Sequence, residues 1–163
     1  MREERPVILV SSCLAGLKVR YNGLDCLDDS VGRLVQEGKA VTVCPEVLGG
    51  CPTPREPAEI VGGSGEDVLN GRAKVVNRIG VDVTEMFVRG AYETLRIARE
   101  MGAAAVVLKE SSPSCGSSLI YNGTHSGVKI PGRGVTAALL SREGIAVLSE
   151  NRLDELTCYI DGK

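Results

Sequence analysis

The sequence predicts an α/β protein, a three-layer Rossmann-like fold with a mainly parallel sheet. Three features carry that reading. Short continuous apolar runs recur along the 163 residues, as expected for strands buried on both faces. Segments with helical apolar spacing alternate with them. Glycine stops and proline-rich breaks separate the two kinds of segment. One compact domain over residues 1–163 is expected from this length.

The elements follow in order. Residues 6–12 (PVILVSS) are apolar and β-branched, and read as a first buried strand. Residues 30–37 place Val31, Leu34 and Val35 at helical spacing, with Gly38 as a stop. Residues 40–44 (AVTVC) read as a second strand. Residues 45–57 hold four prolines and two glycines, so a stiff segment without regular structure is expected. Short strands or a hairpin are expected over 58–80, around Gly62, Gly63 and Gly71. Helix is predicted over 82–101, with Asp82 or Thr84 as cap, Gly102 as stop, and Met86, Ala91, Leu95 and Ala98 as its apolar stripe. A third strand covers 103–108 (AAAVVL), followed by a loop over 109–133. Helix at 134–141, strand at 145–148 and helix at 151–159 complete the pattern.

Composition narrows the function. A net charge of −2 gives no general basic field, so no extended nucleic-acid surface is expected. Aromatics are 3% and Trp is absent, which disfavours base-stacking platforms. No apolar run approaches 18 residues, and Val7 to Val10 is too short for the core of a secretion signal. A cytoplasmic protein with no membrane partner is the expectation. Oligomeric state is not legible, since one apolar helix face serves a core or a dimer equally.

Six cysteines then need a reason. In a reducing compartment they read as metal ligands or catalytic groups rather than disulfides. No CxxC pair occurs, which argues against a zinc ribbon or a thioredoxin-type site. In parallel sheets, sites form beyond the carboxyl ends of strands. The first two predicted strands end at Ser12-Cys13 and at Cys44, and the third leads through Lys109 to Cys115. Three thiolates converging without a fourth suit a soft-metal centre with one open position. The competing reading makes them buried small hydrophobes.

Other residues carry weaker signals. Glu46, two positions past Cys44, is a candidate general base; a surface glutamate is its ordinary reading. Ser112 is a candidate for orienting water or binding substrate, although serine in a proline turn usually satisfies backbone groups. Arg55 on its proline arm, Lys109 and Ser12 are candidate substrate contacts, Arg55 through its fork geometry. Residues 132–136 open a helix whose amides could hold an anion. Cys51 is either a fourth ligand or a bystander. Cys26 and Cys158 read as structural, and His125 as a loop residue.

Several linked motifs resemble one known family: Ser12-Cys13-Leu14-Ala15-Gly16, Arg20-Tyr21-Asn22-Gly23, Cys44-Pro45-Glu46-Val47, Pro52-Thr53-Pro54-Arg55, residues 109–116 (KESSPSCG) and Gly134-Val135-Thr136. The family is domain of unknown function 523, which includes thiouracil desulfidases, and the likeness covers roughly residues 6–151. The resemblance implies a [4Fe–4S] cluster on Cys13, Cys44 and Cys115. It implies that substrate sulfur meets the fourth iron, with Glu46 and Ser112 as the catalytic pair. The substrate would be a small-molecule thiolated base or nucleotide, released as oxo-base and sulfide. Cys51 departs from the family pattern, which usually has an aliphatic residue there. Two other classes remain open: a non-catalytic cluster or metal protein, and a metal-free nucleotide-binding module using residues 132–136.

Overall fold

A computed structural model describes residues 7–156 and Tyr159. In chain order its elements are β1 (Val7–Ser11), a 3-10 turn (Ser12–Ala15), α1 (Asp29–Gln36), β2 (Ala40–Val43), α2 (Pro45–Leu48) and β3 (Ala58–Val61). There follow α3 (Gly65–Leu69), β4 (Lys74–Asn77), α4 (Thr84–Met101), β5 (Ala103–Leu108), β6 (Leu119–Tyr121) and β7 (Lys129–Pro131). The last are α5 (Val135–Arg142), β8 (Val147–Ser149) and 3-10 turns over Glu150–Leu156.

The central sheet has the order β2-β1-β5-β8, and its pairs are parallel. Alternate residues of its inner strands feed opposite layers, as a period of two requires. Leu9, Val106 and Leu108 pack with α4 and α5, beside Phe87, Leu95 and Leu139. Ile8, Val10, Ala105 and Val107 pack with Val31 of α1 and Leu156. This is why the inner strands read as unbroken apolar runs. The three-layer α/β reading therefore holds, with two small antiparallel sheets, β3-β4 and β6-β7, added to it.

Several expectations change. Residues 45–57 are not wholly irregular, because Pro45 starts the one-turn helix α2; a first-turn proline has no amide to lose. The 109–133 loop contains the β6-β7 hairpin, too short to register as strand pattern. Over 58–80 the hairpin is present, but α3 is inserted between its strands. In α4 the buried residues are Phe87, Gly90, Ala91, Thr94, Leu95 and Ala98, with Met86 only half-buried. Asp82 accepts the Thr84 N–H at 2.9 Å, although Val83 occupies the cap position. Cys158, and most of the last predicted helix beyond Leu156, lie outside the described residues.

One packing detail bears on the site. A Cβ on Gly90 would lie 1.9 Å from the Pro45 carbonyl oxygen, and one on Gly49 1.9 Å from that of Met86. The α2 turn thus rests directly on the backbone of α4, which sets the height of Cys44 and Glu46.

Candidate active site

β2, β1 and β5 are neighbours in the sheet and run the same way. Their carboxyl ends therefore open onto one side, as topology predicted. A cavity of about 300 Å³ lies there. Cys13, Cys44 and Cys115 all line it, together with Ser12, Glu46, Arg55, Lys109 and Ser112. The three cysteine ligand candidates and the Ser12, Glu46, Arg55, Lys109 and Ser112 candidates thus line one space.

Each thiol is held differently. Cys13 sits in the 3-10 turn after β1. Burial, then the neighbouring Cys26 and Cys44, push its thiol up to about 12. Cys44 caps α2; burial raises it, while the Val47 amide pulls the other way. Cys115 is buried, and burial raises its thiol, followed by Glu46, Cys44 and Cys13. The three thiols therefore oppose each other's ionisation. A bound cation reverses that penalty, since thiolate is the form that ligates metal.

Glu46 and Arg55 form an ion pair, Nη2 to Oε2 at 3.1 Å. Arg55 also donates through Nη1 to the Val19 and Pro52 carbonyl oxygens and to Thr53 Oγ1. Its fork is thus largely committed to holding Glu46 and the proline arm, and Nε is buried without a partner. Oε1 of Glu46 bonds no other described residue. Lys109 pairs with Glu150 at 2.8 Å. Burial works against its charge, but the Glu150 carboxylate outweighs burial and raises the ammonium above its ordinary value. Its backbone N–H donates to Ser11 Oγ. Ser112 Oγ accepts the N–H groups of Ser114 and Cys115 at 3.0 and 3.1 Å. The turn serine therefore does the ordinary structural task, and its O–H remains to donate.

These contacts correct one reading and bear on another that the sequence leaves open. The amides of Val135, Thr136 and Ala137 donate to the Pro113 and Ser114 carbonyl oxygens. The entrance of α5 is spent on the Cys115 loop and has no vacancy for an anion. Cys51 is not among the cavity residues; its Sγ lies 3.8 Å from Met86 Sδ. It belongs to the core cluster that includes Phe87 and Ala91 of α4, which suits the bystander reading.

Sequence reasoning missed other cavity residues. Arg20, Tyr21, Glu59, Glu110, Tyr121 and Lys129 also line the space. Glu59 accepts the N–H groups of Gly123 and His125 and faces His125 Nδ1 at 3.5 Å. Nothing local in the sequence marks Glu59, because β6-β7 docks on β3 only in the fold.

The donor set suits a soft metal group. Among the described residues, no three His, Cys, Asp or Glu side chains are gathered to hold a single ion. Three cysteine sulfurs without a fourth are a donor set that fits an iron–sulfur cluster with one open position. Also among the described residues, no helix is long and apolar enough to cross a membrane.

Known proteins resemble this chain over nearly its whole described length. The family model for 2-thiouracil desulfurase matches residues 8–152. A Bacillus subtilis (strain 168) protein, uncharacterized protein YbbK, is 60% identical over 150 residues, covering 92% of this chain and 99% of its own. The solved structure of TudS, a [4Fe-4S]-dependent thiouracil desulfidase, matches with a TM-score of 0.85 and 44% identity. That match covers 98% of this chain and 100% of TudS.

Proposed function

The chain belongs to the 2-thiouracil desulfurase family, and from that premise we propose that it removes sulfur from a small thiolated pyrimidine, with a [4Fe–4S] cluster held by Cys13, Cys44 and Cys115. The observation that carries this is three cysteines from three adjacent parallel strand ends lining one cavity. When bound, the cluster supplies one iron without a protein thiolate, a Lewis-acid position for substrate sulfur.

The chain's own residues account for the rest. Glu46 is the base: Arg55 fixes its Oε2, which leaves Oε1 to take a proton from water. That water adds to the carbon bearing sulfur, and the C–S bond breaks. Overall, thiobase and water give oxo-base and hydrogen sulfide, with no net oxidation. Ser112 donates its O–H toward substrate or water. Ser12 lines the wall, and its hydroxyl bonds no other described residue. Arg55 and Lys109 act here through Glu46 and Glu150 more than by direct contact, because those carboxylates occupy their charge.

A non-catalytic cluster protein would be favoured by a fourth cysteine ligand. Cys51 faces Met86 instead, which supports the open-site reading. The test is iron and acid-labile sulfide content after anaerobic reconstitution, beside a Cys13→Ala, Cys44→Ala, Cys115→Ala variant. About four of each per chain are expected in the parent and none in the variant, with sulfide release from thiouracil following the cluster. A folded parent that binds no iron would sink the reading.

A further inference from the structure

The loop between β5 and β6 carries Ser112 and Cys115, and one carboxylate organises it. Glu110 Oε1 accepts the N–H groups of Ser117, Ser118 and Leu119 at 2.8, 3.1 and 3.2 Å, and that of Ser111 at 3.2 Å. Its Oε2 accepts the hydroxyls of Ser117 and Ser118 at 2.7 and 3.3 Å. These bonds bracket Cys115, with one before it and five after. The Glu110 N–H donates to Glu150 Oε1, whose other oxygen holds Lys109. On the far side, the loop is tied to the start of α5 through the Pro113 and Ser114 carbonyl oxygens and by Ser114 Oγ to Thr136 Oγ1 at 2.7 Å.

We propose that Glu110 is a positioning residue: its carboxylate closes the 109–119 loop into a ring that aims Cys115 and Ser112 into the cavity. The start of α5 and the 132–134 backbone hold one side of the turn, the latter through the Gly116 and Ser118 carbonyl oxygens. Without Glu110, the Ser117, Ser118 and Leu119 amides lose their acceptor, and the return limb keeps only those carbonyl bonds and its β6 pairing. The electrostatics agree. Burial pushes the Glu110 carboxyl up, but the Ser117 hydroxyl and the amides outweigh it and bring it down to about 2. The group is therefore a permanent anion at neutral pH, suited to gathering N–H donors. It does not touch the reacting atoms in this role. Outer partners of this kind orient ligands and are worth about 10-fold to 100-fold in metal affinity or activity.

This inference rests on the cluster reading for its first test. Glu110→Gln retains the size but turns an amide N–H₂ toward N–H donors; Glu110→Asp retains the charge on a shorter arm. The rate at which a ferrous chelator strips the reconstituted cluster is compared with thermal stability. Val75→Ala, a core truncation in β4, controls for general loosening. Stripping about 10-fold faster in Glu110→Gln, intermediate in Glu110→Asp, and unchanged in Val75→Ala at a similar thermal loss, supports positioning. Stripping that only tracks thermal loss in all three overturns it. If the wild type holds no iron, the cluster reading falls, and Cys115 alkylation then tests the loop by itself. Faster alkylation of Cys115 in Glu110→Gln, with Cys51 unchanged, upholds positioning; equal rates refute it.

Discussion

At the scale of single residues, the pair Glu46–Arg55 decides most. The arginine side chain is 8% exposed and the glutamate 20%, so both are held rather than solvated. Arg55 spends one donor on the carboxylate, two bonds on its own arm and one on the Val19 carbonyl oxygen. It is a clamp that leaves one carboxylate oxygen toward the cavity. Glu46→Gln retains an acceptor for Arg55 but removes the base. A general base typically contributes about 100-fold to 10,000-fold, so kcat falls in that range while iron content stays at the parental level. The measurement is thiouracil turnover normalised to iron. Loss of iron in parallel with activity would instead place Glu46 in cluster retention. This pairing was not legible beforehand. Position 46 stands out because it lies two residues past Cys44, but nothing in a linear sequence joins it to position 55. A charged fork on a proline arm reads as a substrate clamp until its partner is seen.

At the scale of elements, legibility followed length and burial. β1, β2 and β5 were readable because a parallel strand covered on both faces leaves an unbroken apolar run. β6 and β7 have three residues each, below the length at which alternation shows. Their placement comes from docking on β3, where a Cβ on Gly123 would lie 2.6 Å from the Ile60 carbonyl oxygen. The stripe Met86, Ala91, Leu95 and Ala98 on α4 does face the core, but it is incomplete for a related reason. Gly90 and Thr94 are inside because α2 and α5 come close there, and neither residue signals a core by hydropathy. This contact gives a sharp comparison. Gly90→Ala gains helix propensity of about 1 kcal/mol, but its methyl meets the Pro45 carbonyl oxygen at 1.9 Å. Overpacking against rigid backbone costs about 1–3 kcal/mol, so the clash prevails. Gly32→Ala in α1 meets only the Leu27 Cδ1 at 3.4 Å and retains its propensity gain. Denaturant melts therefore separate the two, with Gly90→Ala less stable than the parent and Gly32→Ala at least as stable. Because α2 carries Glu46 and follows directly on Cys44, Gly90→Ala also lowers reconstituted iron content. Normal loading in that variant would show that the turn can shift without moving the ligand.

For the whole molecule, one sheet does two jobs with the same strands. Its inner faces build the two cores, while its carboxyl edge gathers the thiols, so cysteines in one chain have opposite fates. Cys13, Cys44 and Cys115 line the cavity. Cys51 belongs to the core with Phe87, Ala91 and Val106, and burial pushes its thiol up to about 11. The sequence could not separate these fates, since Cys51 lies only seven positions past Cys44 and both sit among prolines and glycines. What separates them is the α2 turn, which carries the chain from the sheet edge back toward α4. The consequence is measurable by alkylation resolved by peptide mass. Cys26 is half-exposed, so it reacts in the native protein at a rate nearly independent of mild denaturant. Cys51 needs both exposure and ionisation, and its neighbours span α4 and β5, so it reacts only when the common core opens. Its rate should rise with denaturant along the slope of global unfolding. A Cys51 rate as flat as that of Cys26 would mean that the α2 segment opens by itself, detaching the base and one ligand from an otherwise folded sheet.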